Sequence, residues 1–170
     1  MREKYWNFYC EIEYKMFYYK KFLAFFKGIN WCLSAFLTIT ALSCITAWGI
    51  WNSHPLIWSL LICVAQILQA LFPKLPYNDL LCSTEFMISA LDPILIDIEI
   101  SWLEIDVKHY SDKKILKLIK KYESQYSSLV SQFYSGTSLP EIKYCDKKAM
   151  ESCASYFNTK YTSRKENNNA

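Results

Sequence analysis

The sequence predicts an all-α membrane protein, with an aromatic N-terminal helix, a two-span transmembrane hairpin and a cytoplasmic helical C-terminal bundle. No Lys, Arg, Asp or Glu occurs in the 46 positions from Gly28 to Pro73. Apolar side chains recur at heptad spacing before this run and at helical spacing after it. We therefore expect four segments. They are residues 1–27 (an amphipathic aromatic helix), 28–73 (the hairpin), 74–163 (the cytoplasmic helical region) and 164–170 (a polar, disordered tail).

The N-terminal segment is predicted to form one helix over residues 4–27. Its apolar residues alternate spacings of four and three, which is the seam of a packed helix. Aromatic rings also lie off the seam, and Tyr and Trp favour the headgroup level of a membrane. Two interpretations follow: a helix lying in the membrane interface, which we favour, or a helix packing into an oligomer. The seam consists of Tyr5, Tyr9, Ile12, Met16, Tyr19, Leu23 and Phe26.

The uncharged run is too long for a single crossing. As one helix it would measure about 69 Å, against a hydrocarbon core of ~30 Å. We predict spans at about residues 29–51 and 56–72, joined by a turn at Asn52–Pro55. The turn has no basic residue, whereas the segment before the first span has six. The positive-inside rule then places both termini in the cytoplasm and makes the chain a multi-pass protein of the inner (cytoplasmic) membrane.

Polar residues inside the spans fall on one face of each helix. Small and hydroxyl-bearing side chains on such a face can join two helices. Uncharged polar groups in a membrane can also line a water-filled path. Two helices cannot enclose a pore but several copies can, so both interpretations stay open in an oligomer. The residues are Asn30, Ser34 and Thr38 in the first span, and Ser59, Gln66 and Gln69 in the second.

Residues 94–107 can be interpreted as strand or helix. Ile96, Ile98 and Ile100 alternate with polar residues, which is typical of a strand. The apolar pattern runs beyond the length of an ordinary strand, so we favour a helix with Pro93 in its first turn. Such a helix has two apolar stripes, which suits packing on two sides.

Two further helices are predicted near the C-terminus. One begins at Ser111 or Asp112, both favourable capping residues, and ends at Gly136. The other begins at a capping box, Ser138 to Glu141.

A row of lysines, which we name the lysine stripe, lies on the solvent face of the first of these helices. It follows a segment, residues 74–110, with seven acidic and two basic residues. The stripe can be a solvated face or dock on the acidic helix. Alternatively, it can bind anionic headgroups or an anionic ligand such as a nucleotide. The stripe consists of Lys113, Lys117, Lys120 and Lys121.

Reactive motifs are absent from the sequence. With only three glycines there is no phosphate-binding loop, and no nucleophile elbow or zinc-protease motif occurs. The seven cysteines and two histidines do not lie at zinc-ligand spacing. We expect no enzyme activity, no metal, no cofactor and no binding of nucleic acid duplexes.

The layout over about residues 5–160 resembles the SLATT family, and residues 69–76 (QALFPKLP) are the most family-like local stretch. The resemblance implies an oligomeric, pore- or channel-forming membrane effector in a nucleotide-controlled bacterial antiviral defence system. The implied partners are the lipid bilayer, further copies of the chain, and a nucleotide second messenger or its synthase. The alternative is a non-conducting membrane scaffold whose cytoplasmic helices mediate oligomerisation or partner binding.

Overall fold

The computed structural model describes residues 1–46, 55–71, 77–134 and 139–167. Over these residues all regular structure is helical, which confirms the all-α prediction, and residues 94–107 are helical as favoured. The helices are α1 (Arg2–Thr46), α2 (Pro55–Leu71), α3 (Tyr77–Lys108), α4 (Asp112–Phe133) and α5 (Lys143–Asn167).

Helix α1 runs without interruption through the end of the aromatic segment and into the first uncharged stretch. Gly28 therefore lies inside a helix. A glycine there costs roughly 0.5–1 kcal/mol relative to alanine, which is too little to end a helix of this length. The segment boundary expected near residue 27 is thus not a helix boundary.

Helix α3 begins well before the position that its proline suggested. Pro93 lies inside the helix, and its placement in the first turn was wrong. Proline in a helix interior removes one backbone hydrogen bond. Upstream of it, Thr84, Met87 and Leu91 are buried at helical spacing, and their packing outweighs that loss.

Helix α5 begins at Lys143, later than the capping box predicted, and residues 139–142 are not helical. A contact with α1 holds this segment in place. The Tyr18 hydroxyl donates to the Pro140 carbonyl oxygen at 2.7 Å and accepts from the Ile142 N–H at 3.1 Å. At its other end α5 continues through residues 164–167, the first part of the tail expected to be disordered. The capping serine, Ser138, lies outside the described residues.

Helix α4 matches its predicted start, because Ser111 occupies the N-cap position and Asp112 is the first helical residue. The Ser111 side chain makes no capping hydrogen bond. Instead, its backbone carbonyl accepts from the N–H groups of Lys114 and Ile115. The helix ends at Phe133, and the predicted end at Gly136 lies outside the described residues.

The chain divides into two compact units, residues 1–24 with 82–170, and residues 25–81. In the first unit, which we name the bundle, Tyr5, Tyr9, Ile12 and Met16 are almost completely buried. Most of the N-terminal seam therefore packs inside its own chain, and the membrane-interface interpretation was wrong. Other buried apolar residues of the bundle include Met87, Leu91, Ile98 and Ile105 in α3, Ile115, Ile119 and Tyr122 in α4, and Cys145, Ala149 and Cys153 in α5.

The second unit, which we name the apolar unit, exposes large apolar side chains. Trp31 is 73% exposed and Leu56 is 84% exposed. An 18-residue window of α1 has a mean hydropathy of 1.5, and only 6% of it is buried. Among the described helices, α1 is the one long and apolar enough to cross a membrane. Helix α2 has 17 residues, at the short end of the range for a span.

Candidate functional site

Three polar residues of α1 inside the apolar unit, Asn30, Ser34 and Thr38, lie on one side of the helix. Ser34 and Thr38 are exposed, and Asn30 is half-buried. The Thr38 hydroxyl donates to the Ser34 carbonyl oxygen at 2.8 Å. This bond satisfies the hydroxyl proton within its own helix, as threonine commonly does in apolar surroundings. The two residues can therefore face lipid, water or another chain without an unsatisfied donor at Thr38.

Helix α2 has the same arrangement. Ser59 and Gln66 are exposed. The Ser59 hydroxyl donates to the Leu56 carbonyl oxygen at 3.0 Å, again inside its own helix. The hydroxyl protons of Thr38 and Ser59 therefore do not bridge α1 to α2 in one chain. The side chain of Gln69 lies outside those described.

The lysine stripe lies on the solvent side of α4, and its four side chains are exposed. The described residues show no ion pair between the stripe and α3 of the same chain, and two carboxylates of α3 pair with other helices instead. Asp92 lies 4.0 Å from the ammonium of Lys20 in α1, and Glu99 lies 2.5 Å from that of Lys160 in α5. In the described part of the chain the stripe forms no ion pair, so it remains available to an external anionic surface.

A buried carboxylate lies in the bundle where the sequence predicted none. Glu13 of α1 is only 4% exposed, and its Oε2 atom has no hydrogen-bond partner among the described residues. Burial raises its pKa to about 7, because the charged form loses hydration. The ammonium groups of Lys160 and Lys20 oppose this rise, and the carboxylates of Glu99 and Asp92 add to it.

Lys160 joins α5 to α3 beside this carboxylate. Its ammonium nitrogen lies 2.5 Å from both Glu99 Oε1 and the Tyr156 hydroxyl. Burial opposes its charge, but hydrogen bonds to Glu99 and Tyr156 outweigh burial and raise its pKa. The hydroxyls of Tyr9 and Tyr161 are also buried here, where they interact with each other and with the Tyr156 hydroxyl. A polar layer thus crosses the aromatic core. The sequence signal for it is the spacing of Tyr9, Glu13 and Met16, which places the carboxylate on the buried face of α1.

A cleft of about 440 Å³ opens between α1, α4 and the start of α5. Tyrosine rings form much of its wall. The hydroxyls of Tyr19 and Tyr126 lie 2.8 Å apart, and the Lys15 ammonium lies 4.7 Å from the Tyr126 ring centroid. Tyr14 is hydrogen-bonded to Asp146 across the cleft. Its volume is in the range of small-molecule sites, although most of the tyrosine hydroxyls are already engaged by protein groups.

The bundle has a second exposed feature, on the outer side of α3. Phe86, Pro93, Ile96, Ile100 and Val107 are exposed and recur at heptad spacing. This is one of the two apolar stripes predicted for this segment; the other is buried in the core.

Comparison of the chain with protein-family models, with curated proteins and with solved structures finds no match.

Proposed function

We propose that the chain is an oligomeric membrane effector that forms a pore or channel, with α1 and α2 of each copy crossing the membrane as a hairpin. The observation that carries the proposal is the polar row within the apolar unit. Ser34, Thr38, Ser59 and Gln66 are exposed in a unit that also exposes large apolar side chains, such as those of Trp31, Ile39, Leu56 and Ile67. An amide such as that of Gln66 is costly against hydrocarbon, so it requires water or a polar partner on another copy.

The resemblance to SLATT proteins supports a role in bacterial antiviral defence, controlled by a nucleotide second messenger that a partner synthase makes. In this proposal both termini are cytoplasmic, and the signal acts on the bundle. The bundle has two features suited to such control: the exposed lysine stripe and the tyrosine-lined cleft.

Membrane potential in cells tests the proposal. The chain is induced alone and together with the product of its neighbouring gene, and insertion is verified by membrane fractionation. Depolarisation in either case supports a conducting assembly. Full insertion with an unchanged potential in both cases would rule out the channel.

A substitution at Gln66 separates a lining residue from a packing residue. If Gln66 faces water, Gln66→Leu alters single-channel conductance while the assembly keeps its size. If it joins two helices, the same substitution disrupts the assembly. Asn158→Leu in α5 is the matched control, because Asn158 also has an exposed amide but lies in the bundle.

The second candidate function is a non-conducting membrane scaffold. It is favoured by the exposed apolar stripe of α3, which is a surface suited to binding another protein. A scaffold would oligomerise or recruit a partner without altering membrane potential, so the same recording separates the two.

A further inference from the structure

The exposed stripe of α3 lacks a cover in the described structure. We name it the α3 seam. Ile96 and Ile100 are each 52% exposed, Phe86 is 61% exposed and Val107 is 71% exposed. Their heptad spacing is the pattern of a helix that packs lengthwise against another helix. From Phe86 to Val107 the seam is about 32 Å long, using a rise of 1.5 Å per residue.

Charge decides what kind of helix can cover this seam. Helix α3 has seven acidic residues and one basic residue, Lys108. Two copies of α3 packed on each other would bring these carboxylates together, and like charges at an interface oppose association. Four of the carboxylates already pair with Arg2, Lys20, Lys108 and Lys160 of their own chain, but Asp97 has no ion pair among the described residues, so a basic helix suits this seam better than a second α3.

Helix α4 is basic. It has five lysines against Asp112 and Glu123, and the lysine stripe forms no ion pair in the described part of its own chain. Its 22 residues span about 33 Å, which matches the α3 seam in length. The four-carbon stems of lysine can cover apolar surface while their ammonium groups reach carboxylates beside it.

The outer side of α4 also changes character along its length. Its first half has the lysines, and its second half has the exposed serines Ser124, Ser127 and Ser131. In the second half of α3, Asp97 is exposed and has no ion pair among the described residues, and Glu104 pairs with Lys108 of its own helix. The bulky Phe86 lies near the start of α3. An antiparallel arrangement places lysines opposite carboxylates and small serines opposite Phe86.

We propose that the α3 seam of one copy packs antiparallel on the lysine-and-serine side of α4 of a second copy. The two surfaces lie on different helices, so the contact is head-to-tail. A contact of this kind closes into a ring when its rotation closes. The proposal deepens the oligomeric part of the proposed function and rests on it, because it names the surfaces through which copies of a membrane effector assemble.

Two variants, each blocking one surface, test the proposal. Ile100→Asp blocks the α3 seam, and Lys117→Glu combined with Lys120→Glu blocks α4. All three positions are exposed, so the fold should tolerate the changes. Association of the full chain is measured in detergent micelles, by energy transfer between labelled copies and by light scattering. Met150→Asp and Lys147→Glu, at exposed positions of α5, are the matched controls.

We expect each blocked variant alone to associate at least about tenfold more weakly than the wild type. In a mixture of the two, the α3-blocked variant keeps an intact α4 surface and the α4-blocked variant keeps an intact α3 seam. The two should form a dimer through this one contact and no larger assembly. Dimers of the α4-blocked variant alone would instead indicate α3 packing on α3 and overturn the proposal. Wild-type association by both variants would overturn it as well.

These outcomes are distinct from failure of the proposed function. If wild-type and blocked variants assemble and conduct equally, the interface is wrong and the channel stands. If the wild type assembles as inferred but does not conduct, the interface stands and the channel fails. If the wild type is monomeric at every concentration, both fail.

Discussion

Replacing Glu13 with glutamine should stabilise the protein at pH 8 and leave its stability at pH 4.5 almost unchanged. The side chain is 4% exposed, and burial raises its pKa from an ordinary 4.5 to about 7. A pKa raised in the folded state means that the folded protein binds the proton more tightly than the unfolded chain. The stabilisation that protonated Glu13 provides is therefore fully present below pH 4.5 and is lost as the pH rises to about 7.

The size of this loss follows from the two pKa values. A tenfold change in proton affinity corresponds to about 1.4 kcal/mol, so ionising Glu13 in place costs about 3 kcal/mol of unfolding free energy. Glutamine keeps the shape but cannot ionise. Its amide also lacks an evident partner, because Oε2 has none in the described structure. We expect a net gain of about 2–3 kcal/mol at pH 8.

Thermal unfolding of the full chain in detergent micelles, followed by circular dichroism, measures the effect. For a chain of this size 1 kcal/mol shifts the melting temperature by about 2–4 °C, so Glu13→Gln should raise it by roughly 4–12 °C at pH 8. Glu11→Gln is the control, because Glu11 lies on the same helix and its carboxylate is exposed to solvent beside Lys15. Equal shifts for both variants, or a gain that persists at pH 4.5, would refute the reasoning.

Two further predictions concern tyrosine hydroxyls that join distant segments. Tyr18→Phe removes both hydrogen bonds to residues 139–142, and should cost about 1–2 kcal/mol and increase protease cleavage within that segment; an unchanged cleavage pattern would contradict it. Tyr122→Phe removes a buried contact with Ser101 at 2.8 Å and one with the Asp97 carbonyl at 3.2 Å. It should cost about 1–3 kcal/mol by thermal unfolding, and rescue by the added change Ser101→Ala would show that the unpaired Ser101 hydroxyl accounts for part of the loss.

Periodicity predicted the helices because the side chains repeat at helical intervals whatever they pack against. It did not predict the neighbours. The heptad seam of α1 correctly marked Tyr5 and Met16 as a packing face, yet aromatic content suggested a membrane interface. The actual neighbours lie far along the chain, as in the hydrogen bond from the Tyr5 hydroxyl to the Ile98 carbonyl oxygen at 3.0 Å. One sequence without its contacts cannot distinguish a protein core from a membrane surface, since both bury apolar side chains.

Tertiary contacts also overrode local sequence signals. The capping box near Pro140 is a good helix start, but hydrogen bonds to Tyr18 hold that segment in another conformation. Glu13 could not be assigned to the core by residue type, because carboxylates are rarely buried. The polar positions of the spans were predictable as faces. Whether Ser59 and Gln66 contact water or another copy depends on how copies assemble. The residues next to them in the sequence do not specify that assembly.

The bundle is assembled from two stretches of chain that are made at different times. Residues 1–24 leave the ribosome before the rest of the bundle, because the 57 residues from 25 to 81 are made before residues 82–170 begin. At about 5–20 residues per second this interval is roughly 3–11 s. During it the helix with Tyr5 and Tyr9 has no core to enter, and a lipid surface is a suitable resting place for its rings. The aromatic content of this helix thus also suits the nascent chain, in which the seam of α1 has no partner helix until α3 has been made.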